Sequence, residues 1–80
     1  MNLYFSNLHF TVTAEELMQM LEPYAPIESI NIIKDKKTKK SRGFAFVNFS
    51  DTQQAEQAMK NLNGKMIRER ELKIKLADKQ

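Results

Sequence analysis

A strand-like segment around Phe46 restricts the possible folds more than any other part of the chain. In an extended strand, Phe44 and Phe46 point to one side. The other side carries Ala45, Val47 and Phe49. A strand that is apolar on both sides is normally buried between two layers. A chain of 80 residues, however, has little material for two covering layers.

Two helices and three more strands are predicted around this segment. The first half of the chain predicts a strand that stops at Asn7, a helix from Thr13 to near Glu22, and a strand over residues 27–33. The second half predicts the strand over residues 44–49, a helix capped by Ser50 or Asp51, and a strand over residues 72–76. This β-α-β-β-α-β order predicts an α+β, ferredoxin-like fold, with both helices on one face of a four-stranded antiparallel sheet.

The predicted fold leaves one face of its sheet uncovered. Right-handed crossovers put both helices on the same face, so the side that carries Phe44 and Phe46 is open. Tyr4 adds a third ring, because the first and third strands are central neighbours in this order. Basic residues border the rings: Arg42, Lys73 and Lys75. Such a surface can stack unpaired bases while its cations contact phosphates.

The charges of the chain are unevenly distributed. Residues 1–33 contain four acidic residues and no Lys or Arg, whereas residues 34–80 contain all thirteen Lys and Arg and six acidic residues. This polarity indicates an anionic partner, although a merely solvated basic face is the alternative. The positive charge is densest in residues 34–42, which are predicted to form an exposed loop and are called the basic loop below.

Composition argues against several classes of protein. The chain has no cysteine and one histidine, which excludes a disulfide scaffold, a thiolate nucleophile and a histidine metal cluster. It has no glycine-rich phosphate loop and no grouped nucleophile and base, so we expect no enzyme activity and no cofactor. No apolar run approaches the roughly 18 residues of a membrane span, and no basic segment begins a signal peptide. A cytoplasmic location is expected, or a nuclear one in a eukaryote.

Two motifs resemble those of the RNA recognition motif family. Residues 42–49 fit every position of its longer ribonucleoprotein motif, and residues 3–8 fit its shorter companion. The resemblance covers about residues 2–77 and implies a single domain over residues 1–80 that binds single-stranded RNA. Ala25 and Glu69 stand where family members often have glycine, so we expect those two turns to differ in shape.

The resemblance also implies a role for each matching residue. Tyr4 and Phe46 take the places where family members stack successive bases. Phe44 takes the place of a ring that lies against a sugar, and Arg42 takes the place of a residue that contacts a phosphate. The chemistry of these residues agrees with those roles. Further basic residues are expected to contact phosphates: Lys39, Lys40, Lys73 and Lys75.

Polar residues and a glycine complete the predicted interface. Ser6, Asn31 and Asn48 offer donors and acceptors to base edges, although plain solvation is the alternative for each. Gly43 is predicted to allow a close approach of backbone, or else to form a bulge. His9 is predicted to be a solvated loop residue, with contact to a nucleotide as the alternative.

The expected function is that of a monomeric single-stranded RNA-binding protein that acts as a post-transcriptional regulator. No small-molecule substrate and no membrane partner are expected. Two alternatives remain open: a protein-interaction module or homodimer that uses the same aromatic face, and single-stranded DNA binding, since a 2′-hydroxyl contact cannot be located from sequence. The sequence does not specify which RNA is bound.

Overall fold

The structure is a computed structural model that describes residues 1–38 and 41–77, residues 41 and 42 by their backbone alone. The main elements are β1 (Asn2–Ser6), α1 (Ala14–Leu21), β2 (Ile27–Lys34), β3 (Ser41–Phe49), α2 (Thr52–Leu62), β4 (Met66–Ile67), β5 (Arg70–Glu71) and β6 (Lys73–Leu76). A 3₁₀ turn, Glu22–Tyr24, follows α1. The α+β, ferredoxin-like fold predicted from the sequence is confirmed.

The main sheet has four strands in the order β2-β3-β1-β6, and every neighbouring pair is antiparallel. The first and third strands are therefore central neighbours, as predicted. The register pairs Tyr4 with Phe46 and Leu3 with Val47 across the two central strands. Alternation along each strand then separates residues of the covered face from residues of the open face.

The hydrophobic core lies between the sheet and the two helices. From the central strands, Leu3, Phe5, Ala45, Val47 and Phe49 enter it and are no more than 1% exposed. The helices contribute residues at helical spacing: Leu17, Leu21, Ala55, Ala58 and Leu62. Because the core lies on one side of the sheet, the other side of β1 and β3 is available for function.

Side-chain caps set the beginnings of both helices. Thr13 and Glu16 form the predicted capping box, in which the Glu16 N–H donates to Thr13 Oγ1 at 3.2 Å. The sequence left Ser50 and Asp51 as alternatives for the second cap. Asp51 is the capping residue, since its Oδ1 accepts a hydrogen bond from the Gln53 N–H at 2.9 Å.

A short hairpin of β4 and β5 lies between α2 and β6, where the sequence predicted only a connection. Arg68 and Glu69 form its two-residue turn with φ values of 51° and 68°. The usual Asn-Gly or Asp-Gly signal of such a turn is absent, which explains why it was missed. Glu69 and Ala25 both stand where family members often have glycine. Glu69 adopts the left-handed conformation despite its side chain, whereas Ala25 has a φ of −58°, a value that does not require glycine.

Candidate nucleic-acid interface

Three aromatic rings form one continuous surface on the open face of the central strands. Tyr4 and Phe46 are cross-strand partners whose ring centroids lie 5.1 Å apart, with planes inclined at 42°. Tyr4 and Phe44 are stacked at 5.8 Å with an angle of 15°. All three side chains are half-buried. We call this set the aromatic platform.

The platform exists because β3 is apolar on both sides while only one side is covered. Pairs of rings in such arrangements stabilise each other by about 0.5–1.5 kcal/mol, which holds the side chains in place. The platform nevertheless keeps part of each of its three half-buried aromatic side chains in contact with water. Contiguous exposed apolar surface on a small domain marks a place where something binds.

Two of the predicted cations lie on the same face as the platform. Lys75 is the cross-strand partner of Tyr4, and Lys73 is that of Ser6, so β6 carries both lysines along one edge of the platform. Both side chains are exposed. The remaining predicted cations fall outside the described side chains: Arg42, Lys39 and Lys40.

The predicted polar residues are also on the open face, but two of them already have partners within the chain. Asn48 donates from Nδ2 to Glu28 Oε1 at 2.8 Å, and Ser6 Oγ donates to the Lys73 carbonyl at 3.4 Å. Asn31 is exposed and lies opposite Phe46 in the register. The structure thus brings all three to the platform, with Asn31 the most accessible.

A shallow depression of about 370 Å³ adjoins Phe46 on the β2 side. Besides the Phe46 ring, it is lined by residues with polar side chains: Asn2, Ser29, Asn31 and Asn48. Such a lining offers hydrogen-bond donors and acceptors beside the Phe46 ring. The sequence reasoning missed Asn2 and Ser29, because only the strand register shows that they lie near Asn48.

Ile33 is another residue of this face that the sequence reasoning did not assign to the site. It pairs with Phe44 across β2 and β3, so its side chain lies beside that ring and is half-buried. Ile32 and Ile33 are consecutive apolar residues, so this part of β2 is apolar on both of its sides. The same pattern in β3 indicated that its rings lie on the open face.

Gly43 makes a close approach within the chain itself. Its φ is 85°, and a Cβ at this position would lie 3.0 Å from the Leu8 carbonyl oxygen. The Leu8 N–H donates to the Gly43 carbonyl at 3.1 Å. The close approach of backbone that the sequence indicated is therefore made by Leu8, two residues after the end of β1.

The β4–β5 hairpin is connected to the start of α1 through an ion pair between Arg68 and Glu16. The hydrogen bond from Arg68 lowers the pKa of the Glu16 carboxyl, and the Thr13 N–H acts in the same direction.

Within residues 1–38 and 41–77, no helix is long and apolar enough to cross a membrane.

Comparisons with known proteins agree with the architecture of this face. The family model for the RNA recognition motif matches residues 3–73. The human protein named Probable RNA-binding protein 23 is 36% identical over 74 residues, which are 92% of this chain and 17% of the human protein. The chain therefore spans less than a fifth of that relative.

Two solved structures show the same fold. The crystal structure of RNA Binding Protein PG1 has a TM-score of 0.94 and 35% identity, with 100% of this chain and 96% of that one covered. The structure of the Rna15 RRM with bound RNA (GU) has a TM-score of 0.88 and 26% identity, with 98% of this chain and 83% of that one covered.

Proposed function

The chain belongs to the RNA recognition motif family, and we propose that it binds single-stranded RNA on the aromatic platform. The observation that carries the proposal is the continuous surface of Tyr4, Phe44 and Phe46 on the uncovered side of the sheet. Aromatic rings stack on the faces of unpaired bases, which a duplex keeps stacked and paired. The RNA-bound Rna15 RRM, which shares the fold, supports this choice of ligand.

In the proposed complex the rings have separate tasks. Tyr4 and Phe46 stack on successive bases, and Phe44 lies against a sugar. Support comes from the motif positions of these residues and from the contact of both phenylalanine rings with Tyr4, whose centroid lies 5.8 Å from that of Phe44 and 5.1 Å from that of Phe46. Each stacked base contributes about 1–3 kcal/mol to binding.

Cations and polar groups complete the proposed interface. Lys73 and Lys75 contact phosphates from the β6 edge, and Arg42, Lys39 and Lys40 do so from the basic loop and the start of β3. These contacts position the RNA without reading its sequence. Asn31, Asn48 and Ser6 contact base edges, with the depression beside Phe46 as the place where one edge is recognised.

The proposal describes a monomeric binding protein with no catalytic step. The family and the human relative, whose name includes RNA binding, support RNA as the ligand, and the role we propose for this binding is that of a post-transcriptional regulator. Two or three stacked bases with a few ion pairs are expected to give affinity in the micromolar range, because association entropy offsets part of the gain.

Titration with matched nucleic acids tests the proposal. An unstructured RNA strand should bind more tightly than the stem of a hairpin of the same composition, since the bases in the stem are already stacked. Equal affinity for the two would contradict stacking on the platform. The same strand as DNA, measured in parallel, determines whether the ligand is RNA or any single strand.

Sedimentation of the free protein at tens of micromolar provides the second test. A monomer is expected if the rings are available for RNA. A stable dimer without RNA would instead indicate that a second copy of the chain covers the platform.

A further inference from the structure

A groove of about 460 Å³ lies between the end of α1 and the start of β2, and we call it the α1–β2 groove. It is lined by three apolar side chains and two polar ones: Met18, Ala25, Ile27, Gln19 and Glu22. Met18 is 52% exposed, so an apolar part of the lining is in contact with water. Methionine adapts its shape to different apolar partners, which suits a binding surface.

The groove is separate from the aromatic platform. Leu17 and Leu21 of α1 pack in the core, so this helix lies on the covered face of the sheet. The sheet therefore stands between α1 and the rings of Tyr4 and Phe46. A ligand in the groove and a ligand on the platform would occupy opposite sides of the molecule.

The charge around the groove is negative. Residues 1–33, which include α1 and most of β2, contain no Lys or Arg. Glu22 lines the groove, and Glu15 lies about two helical turns before it. Both are exposed, and neither forms an ion pair with any side chain that the structure describes. A surface of this sign repels phosphate, so it favours a cationic ligand over a nucleic acid.

Glu22 occupies an unfavourable position for a carboxylate. It is the C-terminal capping residue of α1, where its N–H donates to the Gln19 carbonyl. The C-terminal end of a helix carries partial negative charge, and the last turn of α1 contains no basic residue to offset it. The carboxylate thus weakens the helix that carries it. A cation brought by a ligand would relieve this repulsion.

The two carboxylates and Met18 lie on one stripe of the helix. Glu15, Met18 and Glu22 have the spacing i, i+3 and i+7, which defines one helical face. From the rise of an α-helix, the two carboxylate residues are separated by about 10 Å along the axis. Two basic residues three positions apart in an extended peptide are also separated by about 10 Å. An apolar side chain between those basic residues would then meet Met18.

A second copy of the chain fits this pattern less well than another protein does. Residues 65–68 have a basic residue at each end and two apolar residues between them. Arg68, however, already forms an ion pair with Glu16 of its own copy, and the Ile67 side chain is half-buried. This segment is therefore not free to enter the groove of a neighbour.

We propose that the α1–β2 groove docks a short extended peptide segment of another protein, in which two basic residues three positions apart flank an apolar one. The basic residues pair with Glu15 and Glu22, and the apolar side chain contacts Met18. The inference goes beyond RNA binding and does not depend on it, because the groove and the platform lie on opposite sides of the sheet.

Three acetylated and amidated peptides test the proposal without RNA. The first contains Lys-Leu-Leu-Lys between serine and glycine spacers, the second replaces both leucines by alanine, and the third replaces both lysines by glutamine. In a titration of isotopically labelled protein, the first peptide should shift the backbone amide resonances of Met18, Glu22 and Ile27. The other two peptides should bind more weakly. Unchanged resonances at millimolar concentrations of the first peptide would overturn the proposal.

Glu22→Gln and Met18→Ala should each weaken binding of the first peptide. The loss of one exposed ion pair corresponds to roughly 1.5- to 5-fold. Each methylene group that loses apolar contact corresponds to about 4-fold. Glu56→Gln is the matched control, since it removes the same charge from an exposed residue of α2. If Glu22→Gln binds the first peptide no more weakly than Glu56→Gln does, the proposed pairing is wrong.

The glutamine peptide and the stability of the free protein separate docking from a structural role. Glu22→Gln should bind the glutamine peptide as wild type does, because no cation remains for the carboxylate. In thermal unfolding, Glu22→Gln should be at least as stable as wild type, since the repulsion at the helix end is removed. A loss of stability would assign the carboxylate to the fold and overturn its role in docking. A dimer in sedimentation that Met18→Ala dissociates would also overturn the proposal, because a second copy would then fill the groove.

Discussion

Asn48 donates its side-chain amide to the Glu28 carboxylate across the β2–β3 pair, with Nδ2 and Oε1 2.8 Å apart. A residue that we propose to contact a base edge is thus already held by an acidic neighbour. This contact orients the amide of Asn48 and also places a negative charge beside the depression that adjoins Phe46. Both effects can be separated by substitution.

We expect Glu28→Ala to change base preference, because it releases the amide of Asn48 to rotate towards a bound base. Relative affinities for short RNAs that differ only in one base measure this change. Glu28→Gln is the control, since its amide oxygen can still accept from Asn48 while the charge is removed. This variant should bind RNA more tightly by less than about 1 kcal/mol, with unchanged preference. Identical preferences in wild type and Glu28→Ala would show that Asn48 does not read bases.

Tyr4→Ala and Phe46→Ala should each weaken RNA binding by about 1–3 kcal/mol, the contribution of one stacked base. Their unfolding should stay cooperative, because the rings lie outside the core. Phe49→Ala is the contrasting variant, since Phe49 is 1% exposed and its loss should cost about 3–5 kcal/mol of stability. Titration and denaturation of the three variants check the assignment. If Tyr4→Ala destabilises as much as Phe49→Ala, the ring is structural.

Replacing both Lys73 and Lys75 by glutamine should reduce the salt dependence of RNA binding. Each lost phosphate contact removes about 0.7 from the slope of log affinity against log salt for a single strand. The control is the Lys60→Gln and Lys65→Gln double variant, which changes the net charge equally at exposed residues of α2 and the segment after it. Equal slopes in the two variants would mean that only net charge matters.

Gly43→Ala should destabilise the fold by about 1–3 kcal/mol, the usual cost of holding a residue with a side chain in a left-handed conformation. The contact with Leu8 makes the cost larger, because a Cβ would lie 3.0 Å from a backbone oxygen. Gly64→Ala is matched in φ, at 90°, but its nearest contact is a side-chain oxygen of Glu71 at 3.6 Å. Chemical denaturation should therefore show a smaller loss for Gly64→Ala. Equal losses of stability in the two variants would show that the contact with Leu8 adds nothing to the cost of Gly43→Ala.

The Glu16–Arg68 pair should make stability depend on acidic pH. The pKa of Glu16 is lowered in the folded protein, so its contribution is present above the pKa of the unfolded chain and is lost as the pH falls through the folded value. Arg68→Met should remove part of this dependence without affecting RNA binding. Thermal unfolding between neutral pH and pH values below the ordinary carboxyl range measures the effect. An unchanged pH profile in Arg68→Met would show that the pair does not contribute.

The sequence was sufficient for those features that depend on local pattern. Alternation along β1 and β3 identified the rings and their face, and the spacing of Thr13 and Glu16 identified the first helix cap. The β4–β5 hairpin was not predicted, because Arg68 and Glu69 adopt positive φ values in its turn and neither residue type is typical of that conformation.

Features that depend on strand register could not be predicted from the sequence, because the pattern of one strand does not show which residues of its neighbour lie opposite. The contacts of Asn48 with Glu28 and of Gly43 with Leu8 join segments that are distant in the chain. The position of Ile33 beside Phe44 is likewise a property of the paired strands. The side chains of Arg42, Lys39 and Lys40 lie outside the described part of the chain, and the phosphate contacts predicted for them, as for Lys73 and Lys75, stay predictions.

Tyr4 and Phe46 come from opposite halves of the chain, with α1, β2 and the basic loop between them. The platform therefore does not exist until the central pair of strands has formed, and pairing of segments this distant in sequence is intrinsically slow. Partly folded chains have no complete binding surface, so a ligand of the platform binds only the folded population. Ligand at a hundred times its dissociation constant would stabilise the fold by about 2.7 kcal/mol. Occupancy of the platform and the lifetime of the protein against unfolding and proteolysis are thus linked.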